Sequence, residues 1–184
     1  MPIPPGHLKS LLKDVDLIHT TIAGNRLNAN SNQGLGVVLV DGPLGTEVSM
    51  EFGIVANHLD VQGEVAVHVQ SSSTITFDHV LFAGNEDDTN QGDANSGTFV
   101  GMRTTLTASD AGFSSPGPPD SDYHLVVTSP AVDAVNGSTE TEDSGLQARD
   151  ALPDIGADEF GVLSLFEDGF ESGNTNRWSS STGG

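Results

Sequence analysis

Two stretches sixty residues apart carry the same order of side chains, and that repetition constrains the fold more than anything else here. Val15-Asp-Leu-Ile-His-Thr-Thr-Ile-Ala-Gly-Asn25 aligns without a gap on Ile75-Thr-Phe-Asp-His-Val-Leu-Phe-Ala-Gly-Asn85. Val15 falls on Ile75, Leu17 on Phe77, His19 on His79 and Ile22 on Phe82, and both stretches end in Ala-Gly-Asn. A third segment, Val48-Ser-Met-Glu-Phe-Gly-Ile-Val-Ala-Asn57, lies between them. Placing Asn57 on Asn85 gives an offset of 28, whereas the strand phase of Val48 and Met50 fits 27, so one residue is expected to be gained at a corner or bulge. Ahead of these units stand two further β-type runs, Val37–Val40 and Val65–Val69, again 28 apart.

Short alternating strands that recur every few tens of residues cannot each bury an inward face alone; stacking them lets Val, Ile, Leu and Phe form continuous ladders. Asn25, Asn57 and Asn85 are the expected structural corner residues, because Asn tolerates left-handed backbone and its amide can bond neighbouring strands. The fold expected is all-β, a right-handed parallel β-helix (solenoid) with an irregular C-terminal cap. Residues 1–100 would supply the coils, 101–160 the capping segment and 161–184 a flexible tail. Gly97–Val100 reads as a strand, with Thr104–Thr107 as another, whereas Pro116-Gly-Pro-Pro119 argues against regular structure over 109–121.

Composition then limits the chemistry. Six Lys and Arg against 26 Asp and Glu give a net charge of −20, and there is no cysteine. Such a charge excludes nucleic-acid binding by phosphate neutralisation. The missing thiols exclude disulfides and thiolate metal sites. No apolar run approaches the roughly 18 residues of a membrane span. The opening Met1-Pro-Ile-Pro-Pro-Gly-His-Leu-Lys9 lacks the pattern of an export signal, so export is expected to require a longer polypeptide.

Two C-terminal segments are more specific. Asp122-Tyr-His-Leu125 leads into Ser129-Pro-Ala-Val-Asp-Ala134, followed by Asp143-Ser-Gly-Leu-Gln-Ala-Arg149 and Asp154-Ile-Gly-Ala-Asp-Glu159. Together with the Ala-Gly-Asn units, they resemble bacterial right-handed parallel β-helix surface proteins that end in a choice-of-anchor Q type domain. The sequence departs from that pattern at Val135, where those proteins carry Gly, and at Asp158, where they carry Tyr. Both departures bear on local turn geometry. Phe166-Glu-Asp-Gly-Phe-Glu-Ser-Gly looks like the terminal tag of exported proteobacterial proteins. The resemblance implies an extracellular or cell-surface setting in a bacterium, and a non-catalytic passenger with an adhesin-like or structural role. The expected state is a monomer, and a glycan or another cell-surface component is the expected class of partner.

The C-terminal segment is expected to cover the open end of the coils, where unpaired edges invite association. Arg149, one of few bases, is expected to pair with one or more of Asp133, Asp143 and Asp154.

Catalysis has thinner support. Asp87-Asp88 is the one adjacent Asp pair. The Gly-His-Gly and Arg-x-Lys motifs that accompany such a pair in polygalacturonases are absent, and so few bases stand against a lyase. A polysaccharide-active hydrolase or lyase is nevertheless the alternative reading. No catalytic residue is assigned. His19 and His79 are equivalent, with Glu51 or Phe52 between them, and like His58 and His68 they read as packed or solvent-facing histidines. No cofactor is expected, calcium being the one ion the acidic loops would suit, with Asp87, Asp88 and Asp93 as its ligands. A calcium-stabilised extracellular spacer is therefore a third reading.

Overall fold

A computed structural model describes residues 15–25, 36–42, 45–58 and 65–161. The expected tail, the Phe166 motif and the opening segment lie outside these residues. Among the described residues there is no α-helix, and the architecture is all-β with mainly parallel sheets. The strands are β1 (Val15–Ile18), β2 (Thr21–Ala23), β3 (Gly36–Val40), β4 (Glu47–Glu51), β5 (Ile54–Ala56) and β6 (Val65–Val69). They continue as β7 (Thr74–Asp78), β8 (Leu81–Ala83), β9 (Thr98–Val100), β10 (Leu106–Ala108), β11 (Phe113–Ser115) and β12 (Asp122–Leu125).

Three sheets are parallel. One has the order β1-β4-β7-β9, a second β10-β8-β5-β2 and a third β3-β6. The backbone therefore visits the third, first and second sheets in turn and begins again. Each new strand lies beside its predecessor from the circuit before. The pairing Val15↔Val48↔Ile75 makes the first circuit 33 residues and the second 27, which is why the two best-matched segments sit sixty apart. Thr21↔Ile54↔Leu81 repeats both offsets in the second sheet. No residue is gained between the second and third circuits, so the expected bulge is absent. The third sheet pairs Gly36 with Val65, an offset of 29 against the 28 expected.

The register builds an apolar interior column by column. Leu17, Met50 and Phe77 form one ladder, Val48, Ile75 and Phe99 a second, and Ile22, Val55 and Phe82 a third. These side chains, with Val38, Val40, Val67 and Val69, form one core cluster. Phe77 and Phe82 meet edge to face at 5.5 Å between ring centroids. Phe77 is 1% exposed. Cutting it to Ala would therefore cost about 3–5 kcal/mol through lost burial and a cavity no neighbour fills.

The corners follow the same columns. His19, Phe52 and His79 all have positive φ, at 45°, 54° and 50°. At the next corner Gly24, Asn57 and Gly84 do so, at 65°, 59° and 62°. Gly24 is needed there twice over, since a Cβ would also lie 2.5 Å from the Tyr123 hydroxyl. The expected equivalence of the three asparagines is thus corrected by one position. Asn57 shares its column with the two glycines, and His58 stands between Asn25 and Asn85. The corner demands left-handed backbone, which Gly and Asn both supply.

The C-terminal segment does not behave as an end cap. It leaves the stack after β10, pairs β11 antiparallel with β12, and runs back along the outside of the second sheet. Ile54, Ala56, Leu81 and Ala83 point out of the first core into a second one with Phe113, Leu125, Ala131, Val135 and Ile155. That is why β5 and β8 are buried at every residue, the mark of a strand covered on both faces. Gly156 N–H donates to the Phe52 carbonyl at 2.7 Å, and Ala157 N–H donates to the Thr21 hydroxyl at 3.0 Å. The segment has travelled from the last circuit to the first. β11 also corrects the expectation that nothing regular forms over 109–121: Phe113 supplies an apolar anchor ahead of the Pro-Gly turn.

Candidate functional site

The returning segment and the first circuit enclose a groove. Two adjoining cavities, of about 460 and 400 Å³, share Ser144 and Ala157 in their walls. The larger is lined by Thr21, Asp120, Asp122, Tyr123, His124 and Asp158 among others. The smaller is lined by Asp16, His19, Glu140, Glu142, Asp143 and Arg149 among others. Acceptors greatly outnumber donors along the groove, so it suits ligands rich in O–H or N–H groups and repels anions.

In the larger cavity β12 presents Asp122 and His124 two residues apart, hence on one side of the strand. His124 Nδ1 lies 2.6 Å from Asp122 Oδ1, and Nε2 lies 3.9 Å from Asp158 Oδ1. The hydrogen bond that His124 donates to Asp122 raises the His124 pKa above its ordinary value, aided by Asp158. The same bond holds Asp122 below the usual carboxylate range. Asp158 is displaced the other way, upwards, by burial, although it accepts the Leu125 N–H at 2.7 Å. Two carboxylates on one cavity are thus pushed apart in acidity, with an imidazole between them.

In the smaller cavity His19 is 7% exposed and joins the two layers. Its Nδ1 lies 3.2 Å from the Gly156 carbonyl and its Nε2 2.6 Å from the Ser138 hydroxyl. A carbonyl only accepts, so Nδ1 carries the proton and Ser138 donates to Nε2. Burial and the nearby Arg149 lower the His19 pKa, which keeps the ring neutral.

Arg149 holds the floor, but not with the expected partners. Its Nη1 donates to Glu159 Oε2 at 2.9 Å, with both side chains almost wholly buried. Nη2 donates to the Gly156 carbonyl at 3.0 Å, and Nη1 also reaches the Asp154 carbonyl at 3.4 Å. Among the described residues Arg149 Nε has no hydrogen-bond partner. The carboxylates of Asp143 and Asp154 are instead occupied by backbone amides. Asp143 Oδ1 accepts from Gly145 and Gln147, and its Oδ2 from Glu159. Asp154 accepts from Asp133 N–H and from Phe160 N–H. Asp133 enters through its own N–H rather than its carboxylate. A short aspartate readily closes a local turn. The longer Glu159 can reach across to the guanidinium. Burial pushes the Asp154 carboxyl up to about 6.

The asparagine corner is structural. Asn85 Oδ1 accepts the His58 N–H at 3.1 Å, and its Nδ2 donates to the Val55 carbonyl and to Asp88 Oδ1, each at 2.9 Å. His58, fully buried, directs Nε2 to the Ile22 carbonyl at 3.1 Å and Nδ1 to the Asn25 backbone at 3.2 Å. Burial lowers its pKa.

Asp87, Asp88 and Asp93 do not converge. Among the described residues no group of three or more His, Asp or Glu side chains is arranged to hold a metal ion. Asp87 and Asp88 instead extend the third sheet, their carbonyls accepting the Ala66 and Val67 N–H groups. Asn90 completes that edge by bonding both backbone polar groups of Val69.

Sequence reasoning missed His124, Asp122 and Asp158 as a set, since more than thirty residues of backbone separate β12 from Asp158. The i, i+2 spacing of Asp122 and His124 was the one local signal. No described helix is long and apolar enough to cross a membrane. No protein family, no curated protein and no solved structure matches this sequence.

Proposed function

We propose that the protein is a right-handed parallel β-helix of a bacterial surface protein, ending in a choice-of-anchor Q type segment. Its role is structural or adhesin-like, displaying polar loops outside the cell. One observation carries the reading: successive strands enter three sheets in cyclic order and in register, with apolar columns inside. Such a stack is built for length and display, and a net charge of −20 keeps its surface solvated. An antibody raised against the purified protein should label intact cells of the source organism, and surface protease should remove the signal. Labelling that appears only after lysis overturns the proposal.

A second reading, a polysaccharide-active enzyme, draws support from Asp122, His124 and Asp158, whose acidities are pushed apart beside a cavity. A panel of neutral and acidic polysaccharides, assayed for new reducing ends with and without calcium, separates the two. The surface proposal expects no turnover. Turnover lost in Asp158→Asn and His124→Gln favours the enzyme.

A further inference from the structure

The sequence holds one Asn-Gly pair, Asn136-Gly137, and it lies between two anchor points of the returning segment. On one side Val135 is fully buried and its N–H donates to the Pro153 carbonyl at 3.1 Å. On the other side Ser138 is held by His19 at 2.6 Å. Between them Asn136 and Gly137 are both exposed. Gly137 has φ of 86°, and no heavy atom lies within 4 Å of where its Cβ would stand. Among the described residues neither the Gly137 N–H nor the Asn136 amide takes part in a hydrogen bond.

We infer that Asn136 is a site of spontaneous deamidation, with water as the one co-reactant. The Gly137 amide nitrogen attacks the side-chain amide carbon of Asn136, forming the new carbon–nitrogen bond of a five-membered succinimide. The bond from that carbon to the original amide nitrogen breaks, and the departing nitrogen takes up the Gly137 proton and leaves as ammonia. Water then adds to one of the two ring carbonyls and opens the ring to aspartate or isoaspartate. Glycine at 137 allows ring closure because no side chain shields its nitrogen. Asn85 and Asn90 are protected in a way Asn136 is not. The Asn85 amide is tied to Val55 and Asp88, and the buried Asn90 amide to Val69.

The product matters because of where it forms. Isoaspartate adds one methylene to the backbone between Val135 and Ser138. It also adds a carboxylate to a stretch of backbone that runs on into Glu140 and Glu142. Val135 is locked in the second core, so the strain falls on the Ser138–His19 contact. Deamidation thereby loosens the contact that ties the returning segment to His19 of the first circuit.

The test is peptide mapping of the intact protein during incubation in warm, mildly alkaline buffer. Asn136 should gain the mass of an amide-to-acid exchange with time, while Asn85 and Asn90 keep their amides. Isoaspartate-specific methylation should report on the same peptide. Asn136→Gln, which keeps an amide and needs no change at Gly137, should lose the conversion while the fold persists. Aged protein should show faster hydrogen exchange over 138–142 than fresh protein. If Asn136 stays unconverted in the folded protein while urea-unfolded protein does convert, the inference fails. Equal conversion at Asn85 in the folded protein defeats it too.

Discussion

The His19 ring stacks on Phe52 from the neighbouring circuit, 5.0 Å between centroids, and both residues carry left-handed backbone. Phe52 in turn lies 5.9 Å from His79, so three rings form a column along one corner. A bulky residue at positive φ is disfavoured in isolation, so the column must offset the strain. Phe52→Ala is therefore expected to destabilise the fold by about 1–2 kcal/mol, the worth of two aromatic contacts with half-buried area. Urea unfolding reads this. A change of only a few tenths of a kcal/mol would show that the stack adds nothing beyond corner geometry.

Arg149 and Glu159 hold the returning segment together from inside. Removing one member leaves a charge buried without its counterpart. Arg149→Met and Glu159→Gln should each cost about 3–5 kcal/mol. The double variant should recover part of that loss, since no lone charge remains. Thermal or urea melts of the four proteins form the cycle. Strict additivity would argue against a direct pair.

Asp154 and the buried histidines pull in opposite directions with pH. The folded pKa of Asp154, at about 6, lies above its ordinary value, so its contribution is full at low pH and lost as pH rises through about 6. His19 and His58 have lowered folded pKa values, so theirs is present above the ordinary histidine range and lost on acidification. Asp154→Asn should remove the acid-side gain, on the order of 3 kcal/mol. Relative to wild type, the variant should lose stability more steeply between neutral pH and pH about 4. Parallel stability–pH curves for the two proteins would refute this.

His58 occupies the place that Asn25 and Asn85 hold in their own circuits. His58→Asn should preserve the corner at a cost of about 1 kcal/mol, while His58→Ala should cost more because backbone groups lose their partners. Both variants should lose part of the acid sensitivity. Circular dichroism melts at neutral and mildly acid pH are the measurement; an Asn variant no better than Ala would mean that volume alone matters there.

Reading the groove from sequence fails for a plain physical reason. Its walls come from residues 16–21, 120–124, 140–149 and 157–158. No local pattern brings those together. The closest approach was the group Asp133, Asp143, Arg149 and Asp154, which does form one network. Its pairing differs from expectation because the reach of Glu159 decides it.

The sequence by itself determined the interior of the stack. Alternation at every second residue and recurrence at sixty dictate which side chains face inward, because strand pleat and register leave no other choice. Thus Leu17 and Phe77 share a column through Met50. The tertiary structure alone decided where the C-terminal segment goes. Its apolar residues are too scattered for any period, and covering the second sheet buries Ile54 and Leu81 as well as closing the groove. Burial area is a property of two surfaces meeting, and one segment read alone shows only half of it.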